Sequence, residues 1–272
     1  MATSSHLIDA LGVRHAPSPD ARIVSLVPSI TELLCELGLG ARLVGRTGFC
    51  IHPAGLVNTI PKVGGTKDVN IEKIRRLAPT HVVVNIDENE KPAVDRLAEF
   101  VPHVVVTHPN APRDNLALAR LMGGIFGAEA AAEAWCAAFE DAHARLRADL
   151  ARLSAPARTV LYCIWQDPWM TVAKDTYIAN MLAALGWRVP DLGETRYPRF
   201  EWSQALVDGL DAVLLSTEPY RFTEAHADAL EKQLGIPVLL VDGEMMSWYG
   251  SRALAGMAYL RNLHAQVEGR TA

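Results

Sequence analysis

Two kinds of hydrophobic pattern alternate along most of the chain. Short, nearly continuous apolar runs are typical of buried strands, and the segments between them carry apolar residues at helical spacing. Strands that alternate with helices predict an α/β fold with mainly parallel sheets. The predicted strands are residues 23–27, 43–45, 81–84, 103–106, 159–164, 213–215 and 238–241.

The middle of the chain has a different pattern. Residues 115–153 hold almost no strand signal, only Ala, Leu, Glu and Arg at helical spacing. Breaks are predicted at Gly123, Gly124 and Gly127, which leaves a long helix over residues 129–153. At 1.5 Å per residue such a helix spans about 37 Å, roughly the diameter of a small domain. We therefore predict that it joins two lobes.

The two α/β halves are similar in arrangement. Residues 69–106 and residues 200–241 each have the pattern helix, strand, helix, strand with comparable spacing, which predicts two related lobes. The predicted organisation is an N-terminal extension (1–21), an N-terminal α/β lobe (22–114), a backbone helix linker (115–155) and a C-terminal α/β lobe (156–272).

Composition narrows the functional classes. Half of the 272 residues are hydrophobic, and the formal net charge is −5, so neither nucleic acid nor an anionic membrane is favoured as a partner. The signatures GxSxG, HExxH and the Walker loop do not occur. The first 22 residues lack a basic segment followed by an apolar one. This predicts a cytoplasmic protein, or a periplasmic one if a leader precedes the sequence.

Aromatic and acidic residues follow several predicted strands. In open parallel sheets, ligands bind beyond the carboxyl ends of the strands. Large flat side chains with a few polar groups suit a broad, partly apolar ligand with polar edges, although packing beneath the loops would also explain them. The candidate ligand-binding residues are Phe49, Trp165, Trp169, Glu218, Tyr220, Asp242, Glu244, Trp248 and Tyr249.

Cys50 and His52 form a second candidate site. Thiolate and imidazole are good ligands for soft or borderline metals, and two residues in one loop could face one ion. A structural zinc site needs four ligands, and the sequence shows only two here. The sequence is therefore consistent with two roles for Cys50 and His52: contact with a metal or chelate, or a purely structural role in the loop.

An ordered series of motifs resembles a known family. Residues 22–32 (RIVSLVPSITE), 63–66 (VGGT), 70–84 and 176–182 (TYIANML) resemble the cobalamin- and siderophore-binding receptors of ABC importers. The resemblance covers residues 22–267 and is greatest for the cobalamin-binding branch. It implies two lobes on a rigid backbone helix, a chelate held in the cleft between them, and docking on a permease through one glutamate per lobe.

Glu72 matches the first docking glutamate, whereas the same offset in the second half falls on Ser203. Permease docking is therefore doubtful, and the apparent lack of an export signal points the same way. We predict non-catalytic binding of a corrinoid such as cobalamin, for uptake, storage or sensing, with no intrinsic cofactor. A ferric siderophore, haem or a bare metal ion stays open. The alternative is a cytoplasmic enzyme or metallochaperone that acts through Cys50 and His52.

Overall fold

The computed structural model describes residues 7–153 and 156–271. These form two compact α/β units. Unit 1 runs to Pro109 and also includes Arg113–Phe139 and Tyr249–Ser251. Unit 2 comprises Asn110–Pro112, Glu140–Trp248 and the residues from Arg252 onward. The two predicted lobes are present, but the chain is divided between them differently from the predicted boundaries.

Unit 1 contains a four-stranded parallel sheet in the order β2-β1-β3-β4. Its inward-facing valines and leucines pack against helices, and Val24, Val82 and Ile74 are fully buried. The strands are β1 (Ile23–Ser25), β2 (Leu43–Arg46), β3 (His81–Asn85) and β4 (His103–Thr107), and the helices are α1 (Pro28–Glu36), a 3-10 turn (Gly40–Arg42), α2 (Ala54–Val57), α3 (Ile71–Leu77), α4 (Lys91–Ala98) and α5 (Asp114–Phe126).

Unit 2 contains a second four-stranded sheet in the order β6-β5-β7-β8. Strands β5, β7 and β8 are parallel, and the short β6 runs antiparallel to β5. The predicted repeat is present, because α3-β3-α4-β4 in unit 1 corresponds to α8-β7-α9-β8 in unit 2. The elements are β5 (Val160–Trp165), β6 (Met170–Thr171), α7 (Tyr177–Ala183), α8 (Gln204–Asp208), β7 (Ala212–Ser216), α9 (Glu224–Leu234), β8 (Val238–Val241), α10 (Gly243–Ser247) and α11 (Ser251–Thr271).

The long helix α6 (Glu129–Leu153) has the predicted bounds, and its residues are divided between the units after Phe139. The prediction that three glycines break the preceding helix is wrong for two of them. Only Gly127, in a left-handed conformation, ends α5. Gly123 lies inside the helix, where a Cβ atom would come within 2.5 Å of Ala132 Cβ. Close packing, not a break, explains that glycine.

Residues 7–21 belong to unit 1 and are attached to the edge of its sheet, although they were expected to form an extension outside the N-terminal lobe. The amide of Ala10 donates to the carbonyl of Val106 on the edge strand β4. The carboxylate of Asp9 accepts the amide of Val106 at 3.1 Å. The segment thus covers part of an edge that would otherwise leave backbone groups unpaired. Its apolar residues from Leu7 to Val13 are interrupted by Asp9 and show no clear period, so the sequence gave no signal of this.

Local capping signals were right in one place and wrong in another. Asn70 directly precedes a helical pattern, which predicts an N-cap, and it caps α3 by accepting the amide of Lys73 at 2.9 Å. The S-x-x-E pattern beginning at Ser29 predicts a capping box with Ser29 as the N-cap, but Val27 holds that position and α1 begins at Pro28. Proline suits the first position of a helix because it lacks an N–H group.

In the part of the chain that the structure describes, no helix is long and apolar enough to span a membrane.

Candidate functional site

A pocket of about 470 Å³ lies in unit 2, at the carboxyl ends of β7 and β8. This is the edge at which open parallel sheets bind ligands. It brings together three of the candidate ligand-binding residues that the sequence indicates, and all three are carboxylates. The pocket is lined by Thr217, Glu218, Leu240, Val241, Asp242 and Glu244.

A tight turn after β8 shapes this pocket. Asp242 caps α10 by accepting the amide of Glu244 at 3.0 Å. The amide of Gly243 donates to Thr217 Oγ1 at 2.9 Å. A Cβ atom on Gly243 would collide with the Cγ atom of Glu218 and would lie 2.6 Å from a neighbouring serine hydroxyl. Glycine therefore lets α10 approach the end of β7 closely enough to form the pocket wall.

Glu218 is tied to the end of α10 by two hydrogen bonds. Its Oε1 atom accepts the Ser247 hydroxyl at 2.8 Å and the Trp248 indole N–H at 2.7 Å. Burial raises the pKa of Glu218, and the nearby carboxylates of Glu244 and Asp242 raise it further, while the two hydrogen bonds act in the opposite direction. Glu218 is thus a carboxylate held at a fixed position in a partly desolvated site.

The Trp248 indole is also held from its face. The guanidinium of Arg252 lies 5.2 Å from the indole centroid, within the range of a cation–π contact. The same guanidinium pairs with Glu244 Oε2 at 2.9 Å. Two pocket-lining carboxylates therefore hold one indole. Glu218 accepts its N–H group directly, and Glu244 acts through Arg252. The sequence argument missed Arg252, which lies four residues after Trp248 on the next helix.

Trp165 is the last residue of β5, at the same edge of the unit 2 sheet. Its side chain is 40% exposed, which is unusual for so large an apolar group. It meets Tyr220 edge-to-face with 5.4 Å between the ring centroids. A half-exposed indole supported by a second ring is a suitable contact surface for a flat ligand.

Trp169 is placed differently from Trp165. Its ring stacks on Phe222 with 5.8 Å between the ring centroids, and it meets Trp202 edge-to-face with 5.4 Å between the centroids. These rings pack against the hydrophobic core of unit 2. This is the placement of a packing residue, so the ligand role of Trp169 stays a prediction without geometric support.

Tyr249 lies in unit 1, apart from the other candidates in its sequence segment. It is buried, and its hydroxyl donates to Glu88 in the loop after β3. Burial raises the pKa of Tyr249, and the Glu88 carboxylate raises it further. The hydroxyl therefore acts as a neutral donor that orients Glu88.

The carboxyl edge of the unit 1 sheet exposes apolar side chains. Phe49, in the loop after β2, is 62% exposed, and its ring lies against Gly65. Ile51 in the same loop and Ile86 after β3 are also exposed. The sequence argument named only Phe49, because isolated isoleucines in loops carry no periodic signal.

The surroundings of Cys50 do not favour metal binding. Cys50 is fully buried. The hydroxyl oxygens of Thr31 and Thr47 each lie 3.1 Å from its Sγ atom. Burial raises the pKa of the thiol, which disfavours the thiolate that a metal requires. Across residues 7–153 and 156–271, no group of three or more histidine, cysteine or acidic side chains could hold a metal ion. The metal role of this loop stays a prediction.

Glu72 is exposed in the first turn of α3, with 66% of its side chain accessible. Its Oε1 atom lies 3.7 Å from Nε of Arg75. The expected counterpart, Ser203, caps α8 and therefore matches Asn70 instead. Counting from the two caps, the position equivalent to Glu72 is Ala205. Both ways of counting give a residue without a carboxylate.

Solved structures share this fold. The periplasmic vitamin B12 binding protein BtuF of Vibrio cholerae matches with a TM-score of 0.78 and 19% identity, over 93% of this chain and 99% of that one. The periplasmic heme-binding protein RhuT from Roseiflexus sp. RS-1 in apo form matches with a TM-score of 0.75 and 22% identity, over 93% and 100%. Both names include the word periplasmic, so these matches give no support to the predicted cytoplasmic location.

Sequence comparison agrees with the structural one. A vitamin B12-binding protein of Pectobacterium carotovorum subsp. carotovorum (strain PC1) is 21% identical over 234 residues, which cover 86% of this chain and 84% of that protein. A vitamin B12-binding protein of Vibrio vulnificus (strain CMCP6) is 29% identical over 100 residues, 37% of this chain and 36% of that protein. The family model described as periplasmic binding protein matches residues 23–218. The chain therefore belongs to the periplasmic binding protein family.

Proposed function

We propose that this protein binds a metal chelate, with a corrinoid such as cobalamin as the favoured ligand, and catalyses no reaction on it. The observation that carries the proposal is the pocket at the carboxyl edge of the unit 2 sheet, where the lining residue Glu218 holds the indole of Trp248. The half-exposed Trp165 lies at the same edge. Flat apolar faces beside a few fixed polar groups suit a broad macrocycle with polar edges.

The family and the names of the relatives support the same class of function. Relatives that match this chain over most of its length, or over part of it, are vitamin B12-binding proteins. Haem is the second candidate, because a heme-binding protein has the same fold. A ferric siderophore belongs to the same broad class. The location of the ligand in a cleft between the two lobes stays a prediction.

Trp165 provides the direct test of this site. Trp165→Ala should weaken the binding of hydroxocobalamin by about 1–3 kcal/mol, roughly 5- to 150-fold in Kd, because a large contact surface is lost while the core is untouched. Calorimetric titration of hydroxocobalamin and, separately, of haemin into wild type and variant measures this change. Leu153→Ala serves as the control, since Leu153 is an exposed apolar residue at the end of α6.

If the wild-type protein binds neither hydroxocobalamin nor haemin, the proposal is wrong. Equal binding by wild type and Trp165→Ala would remove Trp165 from the site. A preference for haemin over hydroxocobalamin would keep the chelate class and replace the corrinoid.

The metallochaperone alternative depends on Cys50 and His52. The burial of Cys50 and its raised thiol pKa do not favour it. Titration of cobalt into wild type, Cys50→Ser and His52→Ala tests the alternative. Weaker binding in either variant would support a metal role for this loop, and identical titrations would remove it.

A further inference from the structure

The two carboxylate oxygens of Glu218 have different surroundings. Oε1 accepts both the Ser247 hydroxyl and the Trp248 indole N–H. Oε2 accepts no hydrogen bond from any residue that the structure describes. Glu218 also lines the pocket. Oε2 is therefore the Glu218 oxygen that remains to accept a hydrogen bond from a molecule bound there.

The charge around this acceptor is negative. Asp242 and Glu244 line the same pocket, and both disfavour the ionised form of Glu218. Arg252 compensates Glu244 through a 2.9 Å ion pair. Within the described ranges, neither Glu218 nor Asp242 has a cationic partner. A carboxylate brought into this pocket by a ligand would meet like charge, whereas an N–H or O–H donor would be attracted.

We infer that Glu218 determines the ligand selectivity of this site: Oε1 fixes Trp248, and Oε2 accepts a hydrogen bond from an uncharged donor on the ligand rim. The ligand class is then a chelate that presents amide or hydroxyl groups, and one that presents carboxylates is rejected. This inference rests on the proposed chelate-binding function. It assigns to one residue the choice between amide-rimmed and carboxylate-rimmed macrocycles.

The test compares two ligands that differ only in rim charge. Hydroxocobalamin carries amide side chains, and its monocarboxylate derivatives carry one carboxylate in place of an amide. Wild type should bind hydroxocobalamin at least about tenfold more tightly than one or more of the monocarboxylates, since like charge at close range is repulsive. In Glu218→Gln this ratio should fall towards one, because glutamine keeps an acceptor for Trp248 but removes the charge.

Two control variants separate selectivity from folding and from net charge. Glu224→Gln removes one negative charge at an exposed position of unit 2, outside the residues that line the pocket, so it should keep the wild-type ratio. Glu129→Gln makes the same change in net charge at an exposed position of unit 1 and should also keep it. Near-ultraviolet circular dichroism checks that each variant retains its native packing.

The outcomes distinguish this inference from the proposed function. Equal wild-type affinities for the amide and carboxylate ligands, with tight binding of both, would overturn the selectivity role and leave chelate binding intact. An equal loss of selectivity in Glu224→Gln would assign the effect to net charge and also overturn it. Failure of wild type to bind hydroxocobalamin, its monocarboxylates and haemin would instead remove the proposed function itself.

Discussion

His81 is a buried histidine at the start of β3. It is 2% exposed and stacks on His103 with 4.6 Å between the ring centroids. Burial lowers the pKa of His81 to about 4, and the neighbouring His103 and His15 contribute to the shift. The folded protein therefore keeps this ring neutral at pH values where the unfolded chain already protonates it.

The consequence is a loss of stability in acid. Because the folded pKa lies below the unfolded value, the stability contribution is complete above about pH 6.5 and is lost as the pH falls towards 4. The free energy of unfolding should fall by up to about 3 kcal/mol more in wild type than in His81→Gln across this window. Urea unfolding of both proteins at pH 7.5, 5.5 and 4 measures the difference. Parallel curves for the two proteins would contradict the prediction.

Part of the candidate site could be predicted residue by residue. Glu218, Asp242 and Glu244 lie within three residues of the ends of predicted strands, so the rule for parallel sheets located them. Arg252 could not be found in this way, because its ion pair with Glu244 depends on how α10 and α11 pack. Tyr249 shows the opposite error, since adjacency in sequence to Trp248 did not place it in the same unit.

At the scale of elements, the N-terminal segment depends on one carboxylate. Asp9 accepts the amides of Leu11 and Val13 through Oδ1 and the amide of Val106 through Oδ2. His15 Nε2 lies 3.0 Å from the same carboxylate. One buried side chain thus holds the turn together and attaches it to β4.

Removing this carboxylate should detach the segment. Asp9→Ala should lower the free energy of unfolding by about 3 kcal/mol, because it leaves buried donors without an acceptor. Asp20→Ala, at an exposed position nearby, should change stability by less than about 0.5 kcal/mol. Hydrogen exchange at the Val106 amide should accelerate only in the first variant. Unchanged exchange there would show that the segment stays attached without Asp9.

Long elements with a clear period were predictable, and short ones were not. Helix α6 has the predicted bounds because many residues contribute to its pattern. Helix α10 has only five residues and depends on a cap at Asp242 and on Gly243. The loop between β2 and α3 has no periodic pattern, but it contains α2, a single turn. Such short helices are stabilised by tertiary contacts that a local pattern does not encode.

At the scale of the whole molecule, location is the prediction with the weakest support. The solved structures with this fold are called periplasmic, which does not support the cytoplasmic location expected in the sequence analysis. A fusion of this chain to a reporter enzyme active only outside the cytoplasm should remain silent if the prediction is right. A reporter fused behind a known leader serves as the positive control. Activity of the unmodified fusion would favour the periplasmic alternative and a role in uptake.

Neither unit corresponds to one continuous stretch of the gene. The chain passes from one unit to the other after Pro109, Pro112, Phe139, Trp248 and Ser251. A fragment that ends within α6 would lose Tyr249, whose hydroxyl orients Glu88, and Gly250, whose amide donates to Asn115. A single cut therefore cannot yield an autonomous half, unlike many two-domain proteins with one linker. Splitting, shuffling or grafting one half onto another receptor must carry at least three separate segments.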